Sequence, residues 1–374
     1  MQPASEGELA EAVRGAKGPL AVRGGGTRGL GRAVAGEALS VTGLSGVVLY
    51  EPAALTLVVR AGTPVAEVEM LLAAEGQRLP FEPMDARGLM GTGGVPTIGG
   101  VVAANASGPR RVQAGACRDS LIGVRFVDGT GAVVKNGGRV MKNVTGYDLC
   151  KLMAGSFGTL GVLTEVAFKL LPAPAAAATL TLSGLDDVRA VRAMAAALTS
   201  PFEVSGAAHA PGQGTWLRLE GFEEQVAYRA ERLAERLAPF GAVAVERDAG
   251  AVTAHWAGLR DVAAFHGRPG DVWRLSVKPS DAPGIVARAC AEACAEAVQY
   301  DWGGGLVWLI VPEGTDLRAT LGRIAGHATL WRASPETRGR ILPFAPEPGP
   351  VAALSAALRA RFDPRGILNP GLMA

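Results

Sequence analysis

The chain has 374 residues, 48% of them hydrophobic and 19% charged, with 51 glycines. That is length for two or three domains, each with its own core, and it excludes a disordered or fibrous chain. A formal net charge of +2 gives no electrostatic reason to expect nucleic acid or an anionic membrane as partner. Cys117, Cys150, Cys290 and Cys294 form no C-x-x-C, so iron–sulfur and zinc-ribbon chemistry is not expected of this chain, nor any other metal site. Cys290 and Cys294 stand four apart on an alanine-rich segment and read as small buried packing residues. The polar N-terminus does not resemble a secretory signal, and the apolar run Pro172 to Leu182 is too short to span a bilayer. The expected compartment is the cytoplasm, with any membrane association supplied by partner subunits.

In chain order, Glu6 to Ala16 reads as a helix capped by Ser5. Leu20 to Arg23 reads as a strand leading into Gly24-Gly25-Gly26. Val47 to Glu51 and Leu55 to Arg60 are β-rich runs, and a helix starts at Thr63-Pro64, runs through Leu72 and stops at Gly76. Leu121 to Val127 and Ala132 to Val134 make a hairpin about Asp128-Gly129-Thr130-Gly131. Leu149 to Met153 reads as helical. Gly161 to Leu171 alternates as a strand, with Val162, Thr164, Val166 and Phe168 facing one way. Pro172-Ala173-Pro174 and the alanines after it form a stiff boundary. Beyond it the order β-α-β-β-α-β occurs twice, between Leu180 and Glu246 and between Val272 and Trp331. The expectation is two ferredoxin-like halves, sharing one sheet.

Two glycine-rich stretches carry the chemistry. Arg23-Gly24-Gly25-Gly26-Thr27-Arg28 places backbone N–H donors, two cations and a hydroxyl in one loop, which suits an anion. It lacks the Lys-Ser/Thr of a Walker loop and the helix of a dinucleotide fingerprint. The second stretch, Gly91 to Gly108, turns tightly at Gly99-Gly100 into the small apolar run Val101 to Ala104. Both loops suit a pyrophosphate, with Ile98, Val101 and Val162 as apolar walls for a ring.

These motifs, with Asp119, Lys142 to Leu152, Gly155 to Glu165 and the C-terminal Phe362 to Gly371, resemble the vanillyl-alcohol-oxidase/PCMH-type FAD-binding flavoproteins. Within that family they are similar to the FAD-binding subunits of bacterial glycolate oxidases. The resemblance covers about the first 170 residues and the last fifteen. It implies an α+β protein: a PCMH-type FAD-binding domain of two α/β subdomains over residues 1–171, a cap or substrate domain over 172–350, and a tail, 351–374, returning to the first domain. It implies that Arg23, Gly24, Gly25, Gly26, Thr27 and Arg28 hold the pyrophosphate. Thr97, Ile98, Gly99, Gly100, Asn105 and Gly108 would line the cofactor, with Asp119, Gly161, Val162 and Thr164 near adenine or flavin. Some relatives tether FAD through a histidine near the triple glycine; Thr27 stands there, so non-covalent FAD is expected.

The implied activity is oxidation of a small 2-hydroxy acid in a complex with a second FAD-binding subunit and an iron–sulfur subunit. The alternatives are a non-catalytic FAD-binding scaffold and a free-standing alcohol oxidase. Relatives that oxidise 2-hydroxy acids carry a histidine cluster. Here His209, His255, His266 and His327 are isolated, and each reads as a surface or packing residue. A carboxylate substrate needs a cation, and Arg274, between Trp273 and Leu275 on a predicted strand, is the candidate; the other reading is a structural ion pair. Arg332 is the weaker rival, and Arg229, Arg232 and Arg236 read as a solvated helix face.

Overall fold

A computed structural model of the protein describes residues 1–138 and 146–373. Lys142 to Thr145 of the predicted motif lie outside them. The strands of the first part are β1 (Leu20–Arg23), β2 (Glu37–Ser40), β3 (Val47–Glu51), β4 (Thr56–Arg60), β5 (Gln77–Arg78), β6 (Leu121–Val127), β7 (Val133–Gly137), β8 (Val162–Lys169) and β9 (Leu171–Pro172). β1 and β2 pair in parallel, and Leu368 of the tail bridges Leu20 on the other side. The predicted first helix is there as Glu6–Gly15, with Ser5 accepting from the Glu8 N–H. It buries Leu9 and Val13 against Leu20, Leu39 and Leu368.

The larger sheet is antiparallel, ordered β3-β4-β8-β6-β7. β8 is central and so is buried on both faces. The expected single alternation along it does not hold. Arg125 pairs with Glu165 and the next residue, Phe126, with Leu163, which leaves Thr164 bulged out of the ladder. The bulge reverses the faces: Val162 joins the core under the first helix, while Leu163, Val166 and Phe168 join the core with Phe81 and Ile98.

The second part contributes β10 (Ala176–Leu182), β11 (Gly206–Ala210), β12 (Gly214–Gly221), β13 (Val243–Glu246), β14 (Asp271–Val277), β15 (Ala297–Asp301), β16 (Leu306–Val311) and β17 (Gly326–Arg332). They form one eight-stranded sheet, ordered β13-β10-β12-β11-β15-β16-β14-β17. Each half is the expected split βαβ, and the halves meet at a single pair, His209 with Tyr300. The seam is pinned by the Tyr300 hydroxyl, which donates to Asp187 at 2.6 Å. The alanine run is not wholly a linker: from Ala176 it is an interior strand, because Ala178 packs under the helix Glu223–Leu237 without needing space. Two long helices were not visible in the pattern, Gly349–Phe362 and Ala249–Arg260; Trp256 of the second is buried beneath the Arg218 guanidinium.

Two cysteines and one arginine depart from expectation. Cys290 and Cys294 are exposed; the helix ends at Ala293, and Cys294 caps it in the left-handed region. Arg229 is buried and bonds the Phe202 and Glu220 carbonyls, so it clamps a helix to the sheet and is not solvated.

One face of the large sheet carries the helices of the two halves; the other carries the helix Ala249–Arg260 and closes over the first part of the chain, where Leu30, Met84 and Leu89 pack on Val272, Trp308, Ile310 and Trp331. A buried ionic cluster ties the same two surfaces together. Arg218 grips Glu82 with two bonds of 2.8 Å, and Arg110 and Arg78 both reach Glu220. Burial opposes ionisation of Glu82, but Arg218 and Arg110 outweigh it and hold its carboxyl below the usual range; Arg218, Arg110 and Arg78 likewise hold Glu220 well below it. Carboxyls depressed in the folded state lend stability that is present above their unfolded pKa and lost as pH falls through the folded one. Thermal unfolding should therefore shift downward as pH drops below about 4.5. Arg218→Met, which takes from the buried Glu82 carboxylate the arginine that grips both of its oxygens, should lower stability by about 3–5 kcal/mol; a denaturant titration checks both.

Candidate functional site

The triple-glycine loop follows β1 and lines a cleft of about 960 Å³, shared with Met90, Thr97, Gly100, Phe157, Arg338 and Asn369. Its shape comes from glycine. A Cβ on Gly25 would sit 1.5 Å from the Val95 carbonyl oxygen, and one on Gly94 would sit 1.8 Å from that of Gly25. The two glycine-rich loops therefore interlock backbone to backbone. Gly26, at φ +71°, turns the chain with open space beside it. No backbone N–H from Gly24 to Gly29 donates a hydrogen bond among the described residues. Thr27 is buried, and its carbonyl accepts from the Thr92 hydroxyl at 3.1 Å.

Two arginines reach this loop. Arg28 donates through Nη2 to the Met84 carbonyl, while its buried Nε has no acceptor; burial lowers its pKa. Arg338 bonds the Gly29 carbonyl from the other side of the cleft, and its Nε is likewise left without an acceptor. Asn369, at φ +45°, closes the floor: its Oδ1 accepts from the Val22 N–H and its Nδ2 donates to the Phe157 carbonyl.

Of the residues singled out in the sequence, Arg23, Gly24, Gly25, Gly26, Thr27, Arg28, Thr97 and Gly100 line this cleft. The rest stand behind it. Ile98 is core, and Gly99 is glycine because a Cβ would strike Ala61. The N–H groups of Ile98, Gly99 and Gly100 already bond Thr63, Ala61 and the Thr97 hydroxyl. Asn105, at φ +47°, accepts from the Arg118 N–H, and Gly108 passes close to the Glu82 carbonyl. Asp119 caps its own short turn at Ala116. Gly161 abuts Phe126, Val162 is core, and Thr164 donates to Glu6 at 2.6 Å.

Arg274 lies on the sheet face turned toward the first part of the chain. Its guanidinium stands 5.2, 5.8 and 5.7 Å from the ring centroids of Trp302, Trp308 and Trp331. Burial pushes its pKa down to about 10, with Arg111 adding to the shift, so it stays charged at neutral pH. Its side chain makes no hydrogen bond or ion pair among the described residues. Arg332, the rival, bonds the carbonyls of Leu89, Phe265, Arg268 and Gly270 and is fully committed to structure. His327 pairs with Ser276, two residues from Arg274 along β14, and so shares its sheet face; burial and the Arg274 charge lower its pKa.

The FAD-binding domain family matches residues 1–137. The glycolate oxidase subunit GlcE of Escherichia coli (strain K12) is 36% identical over 360 residues, 96% of this chain and 93% of that one. The chain belongs to the GlcE family of glycolate oxidase subunits. FAD is accordingly its cofactor, and the family is one of oxidoreductases acting on CH–OH groups. The glycolate oxidase subunit GlcD of Bacillus subtilis (strain 168) is 39% identical over 120 residues, 32% of this chain and 24% of that one. Among solved structures, alkyldihydroxyacetonephosphate synthase (TM-score 0.71, 15% identity, 99% of this chain and 76% of that one) shares the fold. So does p-cresol methylhydroxylase (TM-score 0.71, 15% identity, 100% and 88%). No described helix of this GlcE-family chain is long and apolar enough to cross a membrane, and no His/Cys/Asp/Glu group among the described residues suits a metal ion.

The cleft fits FAD on its own evidence. A row of unbonded N–H groups and two arginine Nε atoms without acceptors are the donors a pyrophosphate and a flavin carbonyl require. Sequence reading of this GlcE-family chain missed Arg338, the three tryptophans and Arg111. Trp308 and Trp331 stand on predicted strands, but whether they face Arg274 depends on register between strands, which the sequence does not carry; Trp302 lies outside any predicted strand.

Proposed function

We propose that this chain is the FAD-holding subunit of a 2-hydroxy-acid dehydrogenase complex of the glycolate oxidase kind, working with a second flavoprotein subunit and an iron–sulfur subunit. Residues 1–171 hold the cofactor, 172–350 cover it and meet the substrate, and 351–374 return to the cofactor side. The observation that carries the reading is the row of free N–H groups between Gly24 and Gly29 in the 960 Å³ cleft.

Arg23, Gly24, Gly25, Gly26, Thr27 and Arg28 grip the pyrophosphate, and Arg338 donates from the opposite wall. Thr97 and Gly100 line the cleft. Ile98, Gly99, Asn105, Gly108, Asp119, Gly161, Val162 and Thr164 fix the surrounding backbone. Bound FAD supplies the two-electron acceptor. Arg274 holds the substrate carboxylate, and the tryptophans around it exclude water, which strengthens that pairing.

Arg274→Ala should raise KM by about 10- to 100-fold with kcat little changed, as for a group that binds ground and transition states alike. Arg332→Ala should instead lower thermal stability. Steady-state kinetics of the assembled complex with each variant tests the assignment; an unchanged KM in Arg274→Ala overturns it.

A further inference from the structure

The helix Gly349–Phe362 is unlike every other long helix of the chain. From Gly349 to Leu358 it carries no charged residue, and Ser355, its one polar side chain there, donates its hydroxyl to Glu347 at 3.0 Å. A helix that is apolar all round needs a cover, and one of this length is marginal by itself in water. Yet none of its residues is buried, and Val351, Leu354 and Leu358 are 46, 67 and 40% exposed. Spaced by three and then four, those three form one stripe. Among the described residues only Phe362, at the C-terminal end, joins a core, with its ring 6.0 Å from that of Phe126.

The stripe leads toward the cofactor. Where the helix ends, an outer cleft of about 440 Å³ opens, lined by Thr159, Arg359, Arg365, Asn369 and Met373. Asn369 also lines the FAD cleft, where it holds Val22 and Phe157, and Leu372 lines that cleft too. The tail from Asn369 to Met373 is therefore a wall shared by the two clefts. The rim at this end is basic. Arg361 is exposed, Arg359 lines the outer cleft, and neither side chain makes a hydrogen bond or an ion pair among the described residues. Asp363, the acid beside them, is buried and accepts from the Leu368 N–H at 2.7 Å.

We infer, on the footing of the complex proposed above, that this helix and the outer cleft dock the cluster-bearing subunit, through an apolar groove on that subunit with carboxylates at one end. Val351, Leu354 and Leu358 fill the groove, and Arg359 and Arg361 meet the carboxylates, which fixes the direction in which the helix lies. A second copy of this chain would cover the same stripe, but it brings another FAD cleft and, among the described residues, no His/Cys/Asp/Glu group suited to a metal ion. A cluster-bearing partner seated here lies against the wall of the FAD cleft. Two electrons taken from the hydroxy acid leave for its oxidised clusters one at a time, and the accompanying protons go to water.

The test measures binding of the FAD-loaded full chain to the purified cluster-bearing subunit, to the second flavoprotein subunit, and to the two together. Leu354→Glu should weaken binding of the cluster-bearing subunit by at least about 30-fold, with flavin content and melting temperature unchanged. Arg361→Glu should weaken it by about fivefold or more at low salt and by less at high salt. Met70→Glu, at a site equally exposed on another helix, is the control and should stay within about twofold. Undiminished binding by Leu354→Glu would overturn the docking site and leave the complex standing. So would a loss confined to the second flavoprotein, or a dimer of the chain alone that Leu354→Glu splits. If the parent chain binds neither subunit, singly or together, the complex itself falls and the docking site with it.

Discussion

Gly25→Val should abolish FAD retention, raising the dissociation constant by at least about 100-fold, or 2.7 kcal/mol. The reason is more specific than the freedom of glycine to approach a phosphate. The missing Cβ direction of Gly25 is filled by the Val95 carbonyl oxygen, 1.5 Å from where a Cβ would stand. A valine there must push apart the two loops that form one edge of the cleft. The donors from Gly24 to Gly29 then lose their common direction, although the sheets behind them remain. Gly26→Ala is the control: its φ of +71° is strained for alanine by about 1–2 kcal/mol, but open space receives the methyl group. That variant should keep its flavin with a weakening of under about 30-fold. Visible absorbance after gel filtration reports both, and far-ultraviolet circular dichroism separates a lost cofactor from a lost fold. A Gly25→Val protein that holds FAD as tightly as the parent would show that these loops do not form the pyrophosphate site.

The purified chain alone should give little or no dye reduction with a 2-hydroxy acid, and activity should appear when the second flavoprotein and the cluster-bearing subunit are added. Cys117 and Cys150 are buried, Cys290 and Cys294 are exposed, and among the described residues no group of His, Cys, Asp or Glu side chains suits a metal ion. The helix Gly349–Phe362 exposes Val351, Leu354 and Leu358 with no buried residue, an apolar face of the sort a partner subunit covers. Full turnover by the isolated chain would contradict this and would shift attention to His327, the imidazole that shares a sheet face with Arg274.

What the sequence revealed follows from where the information is local. The triple-glycine loop, the hairpin at Asp128 to Gly131 and the doubled β-α-β-β-α-β order are each written in adjacent residues. The reversed faces of β8 were not legible, because a bulge at Thr164 is decided by the partner strand. The helix Ala249–Arg260 carries its apolar side chains without a clear period, and its place is set by Trp256 meeting Arg218 across the chain. Arg274 was legible as an arginine among apolar neighbours, but its tryptophan cage was not. Arg332 was the weaker rival in sequence, and four carbonyls from distant segments commit it to structure.

The most direct measurement is the flavin content and linkage of the purified chain. One FAD per chain is expected, released entirely into the supernatant on acid precipitation, because Thr27 offers no nitrogen for a covalent tether. A chain purified without flavin that fails to take up added FAD, or a yellow pellet after acid, would contradict it.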